Sequence, residues 1–278
     1  MNNNSANKKY YYDSGKIVSS MHDEFKNLFE FKFILKRMIY TNFKTRYKRS
    51  FLGIIWSMLN PLLNMLVFMF IFSYLFHQDV DHFPIYILAG QMIWAFFSQS
   101  TSEAMNQMIG NAGLISKIYL PKSIYILSGI GINGINLVLT FILLLLISAL
   151  NKIAPSFSML LIIPDILIMT LFTIGISMIT ATIVPFLNDF SQIWGVLLSL
   201  WMYASAIFYP ISIIDPKLIP LFNLNPIFIY ISIFRDVFIN NNLSTSQFWL
   251  LGTAYGIVFF LLGWWIFTKH TNEFAYRI

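Results

Sequence analysis

The chain has 278 residues, of which 57% are hydrophobic, 18% aromatic and 11% charged, with a formal net charge of +6. Soluble domains carry about 25% charged residues, so an ordinary water-soluble domain is excluded and a chain crossing a bilayer several times is expected. The lack of cysteine excludes disulfides, thiolate catalysis and zinc–thiolate centres, and the basic residues sit beside apolar spans, which points to lipid headgroups and topogenic bias rather than to nucleic acid.

Residues 1–20, Asn-rich and without apolar periodicity, read as a flexible cytoplasmic tail. From Met21 to about Thr41, Met21, Phe25, Leu28, Leu35, Met38 and Ile39 recur at helical spacing. This predicts a basic amphipathic helix lying in the membrane interface, with a soluble helix packed on a partner as the alternative. The helix and the basic segment after it occupy residues 21–50. The first fifty residues hold no short isolated apolar core, so no cleavable signal is expected and the first span serves as the targeting signal.

A membrane span needs about 20 mainly apolar residues. Six stretches qualify within 51–268: roughly 54–76, 84–104, 123–150, 159–187, 191–213 and 248–268. Eleven of the eighteen Lys and Arg residues precede Phe51. Lys117, Lys122, Lys269 and Arg277 fall on the same side, and only Lys152, Lys217 and Arg235 on the other. Basic residues concentrate on the cytoplasmic side of membrane proteins, so both ends, including the tail 269–278, are placed in the cytoplasm. The segment around 216–240 is long enough for a further span, but Pro220, Asn223, Asn225 and Pro226 break it early and Arg235-Asp236 sits near its end. Backbone freed at a proline is tolerated at membrane depth only where protein or a cavity covers it, so two short helices re-entering from outside fit better. The fold class is therefore an all-α integral membrane protein with six spans, an N-terminal amphipathic helix and re-entrant helices between spans five and six.

No Gly-x-x-x-x-Gly-Lys-Ser/Thr loop is present, so the chain is not expected to hydrolyse ATP. Neither Gly-x-Ser-x-Gly nor His-Glu-x-x-His occurs. Glu103, Asp165 and Asp189 stand singly rather than in the pairs that acid–base or metal chemistry needs. His77, Asp79, Asp81 and His82 offer metal ligands, but a short hairpin between spans is polar in any case and the spacing matches no zinc pattern, so no metal is expected. Gly252-x-x-x-Gly256 suits close helix packing within the chain or a dimer seam. Trp94 and Phe97, with Trp201, Tyr203 and Tyr209, supply flat apolar faces on which sugar rings stack. Lipid-facing or core positions account for each of them equally well.

Several motifs fall in a fixed order: Arg46-Tyr-Lys-Arg-Ser-Phe-Leu-Gly-Ile-Ile-Trp56 with Leu59-Asn60-Pro61, Leu88-Ala-Gly-Gln-Met-Ile-Trp94 with Phe97, Gly110 through Lys122, Ile207-Phe-Tyr-Pro210, and Asn225-Pro226 with Arg235. Together, over about residues 22–278, they resemble the membrane subunit of type-2 ABC exporters of lipid-linked polysaccharides, the O-antigen, capsule, rhamnan and teichoic-acid exporters. The resemblance implies a transport subunit and not an enzyme, paired with a second copy of itself and with two ATPase subunits that bind ATP and magnesium. It implies a polyprenyl-diphosphate-linked glycan as substrate, in the bacterial inner membrane. Under it, Arg46, Lys48 and Arg49 receive the lipid diphosphate. Asn111, Leu114, Ile115 and Lys117 couple to the ATPase, Trp94, Phe97, Trp201, Tyr203 and Tyr209 line the glycan path, and Asn225, Pro226 and Arg235 belong to an outer gate. A permease of the same fold for drugs or small lipids and a membrane enzyme acting on polyprenyl phosphates are the competing readings.

Overall fold

The computed structural model describes residues 21–48, 52–74, 82–115, 120–153, 156–187, 189–271 and 273–274. The tail 1–20, Arg49, His77, Asp79, Asp81 and Lys117 lie outside these residues. Among the described residues every regular element is helical.

The amphipathic segment forms two helices, α1 (Met21–Glu30) and α2 (Lys32–Tyr47), and the second runs six residues beyond the expected end. The half-buried stripe of α2 faces α6 (Ser123–Leu150): a Cβ on Gly131 would lie 2.5 Å from Ile39, and Tyr47 donates to Asn136 Oδ1 at 3.1 Å. Its other face leaves Phe33 and Tyr40 exposed. In α1, Glu24 is buried and accepts from Ser123 Oγ at 2.8 Å, at the positive end of α6. The neighbouring Lys122 donates to the carbonyl of Thr271, at the end of α11 (Ser246–His270), and lies over the Phe274 ring. Burial pushes the Lys122 ammonium below its ordinary pKa, and Glu24 acts against that shift.

The centre of the molecule is α4 (Phe83–Gly110), which packs on α6, on α7 (Ile162–Ile183) and on α3 (Trp56–Tyr74), and buries most of its first half. Its polar residues Gln91, Ser98, Gln99 and Glu103 fall at half-buried or exposed positions, not among the side chains the helix buries. At 28 residues it is about 42 Å long. Among the described residues four segments are both long and apolar enough to cross a membrane: Gly53–Phe72, Ser123–Leu150, Phe157–Ile183 and Ser246–His270.

The expected span at 191–213 is not one continuous helix. Its helix α8 (Phe190–Tyr203) has 14 residues, about 21 Å, and turns follow. Pro210 gives the reason: a helix continuing through it would set its ring against the carbonyl of Ala206 and lose a hydrogen bond there. Ala206 instead takes a left-handed conformation, φ +48°. The broken segment that follows yields α9 (Ile219–Phe222) and α10 (Pro226–Phe238). Asn225 caps α10 and Pro226 fills its first position, where a missing N–H costs nothing. The remaining short helix, α5 (Ala112–Ile115), follows α4 after Asn111.

Glycines bring α7 and α11 into backbone contact. A Cβ on Gly175 would fall onto the carbonyl of Phe259, and one on Gly263 onto the carbonyl of Gly175. In the Gly-x-x-x-Gly motif, Gly256 lies against Ile168 of α7 and Gly252 against Tyr230 of α10, so both close approaches are made within the chain.

Candidate functional site

A cleft of about 610 Å³ opens between α3, α4 and α6. Each wall presents polar side chains at helical spacing. Ser57, Asn60 and Asn64 come from α3, Gln91 and Gln99 from α4, and Asn133, Asn136 and Thr140 from α6. Residues three, four, seven or eight apart share one helix face, so the amides form ladders along the cleft. Trp56, Phe68, Trp94, Phe96 and Phe208 add apolar surface, with Phe68 stacked on Phe208 at 3.9 Å. Asn64 donates to Asn60 Oδ1 at 3.2 Å. Asn133 is 2% exposed, and neither its Nδ2 nor its Oδ1 has a hydrogen-bond partner.

Arg46 closes one end of the cleft and pairs with Glu103 at 3.1 Å. The pair depends on the glycines of α6. Gly131 admits Ile39 of α2, and Gly129 admits Glu103, whose Cγ would lie 2.8 Å from a Cβ there. From Glu103 a ladder runs down α4: Gln107 donates to Glu103 Oε1 at 2.8 Å, and Asn111 donates to the Gln107 side chain and carbonyl, each at 2.8 Å. The cleft mouth is thus joined by side chains to the start of the loop at 110–122.

Of the five aromatics named from the sequence, Trp94 lines this cleft. Phe97 is fully buried behind it, between Phe172 at 5.6 Å and Trp201 at 5.1 Å. Trp201 borders a second, apolar groove of about 570 Å³ between α8, α9 and the start of α10. Tyr203 is exposed, and its carbonyl accepts from the Tyr209 hydroxyl. Phe96, next to Trp94, and Trp56 and Phe208, both inside the ordered motifs, line the cleft without having been assigned to the glycan path, and Phe68 was missed by sequence reading. Its signal was available on α3, where Phe68 continues the 57/60/64 face.

Lys48 is exposed just past α2. In the segment expected to couple to an ATPase, Leu114 is exposed and Ile115 buried, and the Asn111 carbonyl accepts from both their N–H groups at 2.9 Å. Arg235 lies far from Arg46 in the chain and works through carbonyls. It donates to Ala206 O (3.0 Å), Ile207 O (2.8 Å) and Tyr86 O (3.1 Å), and its guanidinium sits 3.4 Å over the Tyr86 ring. Among the described residues no group of three or more His, Asp or Glu side chains is placed to hold a metal.

Residues 34–239 match the family described as ABC-2 type transporter. The chain is similar to the O-antigen export system permease protein RfbA of Klebsiella pneumoniae, with 30% identity covering 84% of this chain and 90% of the relative. It is also similar to the protein of the same name from Myxococcus xanthus, with 27% identity covering 91% of this chain and 98% of the relative. A family match over residues 34–239, most of the chain, assigns it: this protein belongs to the ABC-2 type transporter family.

Proposed function

We propose that this chain is the permease subunit of an ATP-driven exporter that moves a polyprenyl-diphosphate-linked polysaccharide or teichoic acid outward across a bacterial inner membrane. The observation that carries the reading is the 610 Å³ cleft of amides and aromatics in a chain whose relatives are named as O-antigen export permeases. Amides exchange hydrogen bonds with hydroxyls, and aromatic faces tolerate a sliding polymer because stacking demands no fixed register.

Under this reading α3, α4, α6, α7, α8 and α11 belong to six spans, α9 and α10 re-enter from outside, and both termini are cytoplasmic. Helix α8 is completed to a span by the turns after Tyr203. Two copies join two ATPase subunits, which supply ATP and magnesium binding. Arg46, Lys48 and Arg49 receive the diphosphate through charge-assisted hydrogen bonds. Asn111, Leu114, Ile115 and Lys117 dock the ATPase, and the Asn111–Gln107–Glu103 ladder carries its motion to Arg46. Trp94 contacts the glycan, Phe97, Trp201, Tyr203 and Tyr209 shape the wall behind it, and Asn225, Pro226 and Arg235 hold the outer gate.

The test is a strain lacking this chain, assayed for surface polysaccharide and for lipid-linked polymer held inside. Loss of the first with accumulation of the second is expected, and alanine at Arg46, Lys48 and Arg49 should reproduce both with the ATPase still co-purifying. Unchanged surface polysaccharide in the deletion strain refutes the reading.

A further inference from the structure

The cleft is selective in its chemistry. Among the described residues lining it, Arg46 alone carries a charge, and Glu103 already pairs with it at 3.1 Å. The remaining polar lining is six carboxamides with Ser57, Thr140 and Tyr47. A carboxamide presents one acceptor oxygen and two donor hydrogens. A sugar hydroxyl likewise donates and accepts, so neighbouring hydroxyls satisfy both ends of an amide at once. A phosphodiester oxygen only accepts. It would satisfy the NH₂ but face the amide oxygen as like against like, and beyond Arg46 at one end, already paired with Glu103, the described lining offers no cation to balance its charge in a low-dielectric setting.

Asn133 is the second and independent observation. Its side chain is buried in the wall of the cleft with both polar atoms unpartnered. An orphaned buried donor or acceptor carries a desolvation cost that a native structure rarely leaves standing without a partner or a function. Asn136, one turn away, already has its oxygen taken by Tyr47, and Asn60 and Asn64 bond each other. Asn133 is therefore the buried amide of the lining whose donor and acceptor both stand open to an incoming group that offers a donor and an acceptor together.

We propose that this cleft is a binding site for uncharged sugar hydroxyls, with Asn133 as its specificity-determining residue, so that the exported polymer passes it as neutral sugar units rather than as a polyol-phosphate chain. The proposal rests on the export reading and narrows its substrate class. The amide ladder on α4 from Gln91 to Gln99 covers about 12 Å, room for two to three sugar rings.

The experiment uses the full chain in lipid nanodiscs and follows its tryptophan fluorescence, to which Trp56 and Trp94 at the cleft contribute, with saturable binding confirmed by calorimetry. The probes are a set of neutral tetrasaccharides of glucose, mannose, galactose and rhamnose, and a glycerol-phosphate tetramer of similar length. Saturable binding of at least one neutral tetrasaccharide, insensitive to salt, is expected. Asn133→Leu should weaken it about tenfold, the loss expected when a paired donor and acceptor are removed together. Gln99→Leu, at an exposed position where folding is not at risk, should weaken it by a smaller factor. Binding of the phosphodiester alone, with a salt dependence, overturns the proposal, as does neutral binding indifferent to both substitutions or no binding at all. If any of these occurs while the deletion strain still loses its surface polysaccharide, the neutral-glycan site falls and the export reading stands. Surface polysaccharide retained in that strain removes both.

Discussion

Trp201 and Asn225, 24 residues apart, share one hydrogen bond: the indole N–H donates to the Asn225 side-chain oxygen at 2.8 Å. The same oxygen caps α10 by accepting from Ile227 N–H at 3.0 Å, while Nδ2 donates to Ala204 O at 2.9 Å and to Ser205 Oγ at 3.0 Å. One amide thus fixes the end of α8 to the start of α10. A residue expected in the glycan path and one expected in the outer gate turn out to be one joint.

Asn225→Ala removes the cap and orphans the Trp201 N–H together. A cap alone contributes about 1 kcal/mol, and stranding the half-buried Trp201 donor adds about 1 kcal/mol, the low end of the cost for a donor left unpaired. Thermal unfolding of the purified protein should show a lowered midpoint for Asn225→Ala and a smaller loss for Asn225→Asp, which keeps the acceptor. Equal stability of Asn225→Ala and the parent would dismiss the joint.

Arg235 holds the carbonyls of Ala206, Ile207 and Tyr86 and stacks on the Tyr86 ring. Lysine keeps the charge but neither the fork nor the stacking plane. Arg235→Lys is therefore expected to destabilise by about 2–3 kcal/mol, the worth of charged hydrogen bonds left unmade. Gly90→Ala should act on the same clamp from the other side, because its Cβ would lie 2.7 Å from Arg235 Nη2. Protease sensitivity at the 204–210 turns reads both. Losses in the double variant that add fully would show that the two positions do not share a clamp.

The α7–α11 contact is backbone on backbone at Gly175 and Gly263. Neither backbone can swing aside as a flexible side chain would, so Gly263→Val must separate two helices. Loss of folded, detergent-extractable protein is expected, whereas Gly195→Val, at an exposed position with open space around its Cβ, should leave the yield unchanged. Comparable yields of the two variants would argue against the close crossing.

Lys122 makes stability depend on pH. Burial lowers its folded-state pKa below the ordinary 10.5, against the pull of Glu24. Between the lowered value and 10.5 the unfolded chain binds more protons than the folded one, so stability should rise with pH across that window and level off above it. Lys122→Met lacks the group and should lose this slope. Unfolding midpoints of both proteins, from neutrality to just above 10.5, check it; parallel curves would dismiss the assignment.

Hydrophobic run length and proline placement are local properties, so the sequence by itself determined the all-helical class, the four long apolar helices and the interruption between α9 and α10. Asn225-Pro226 announced a helix start, and the helix starts there. Tertiary structure alone decided what each helix faces. Trp94 and Phe97, three residues apart, read alike in a sequence, yet one lines the cleft and the other is fully buried against Phe172 and Trp201. Arg46 and Glu103 are 57 residues apart, and their pairing follows from two glycines on a third helix. The cleft itself draws Asn60, Gln91 and Asn133 from three helices, and nothing in any one span tells that the three share a cavity. Periodicity reports that a helix has faces. Which face meets protein, cavity or lipid depends on how helices far apart in sequence approach one another, and that is set by packing.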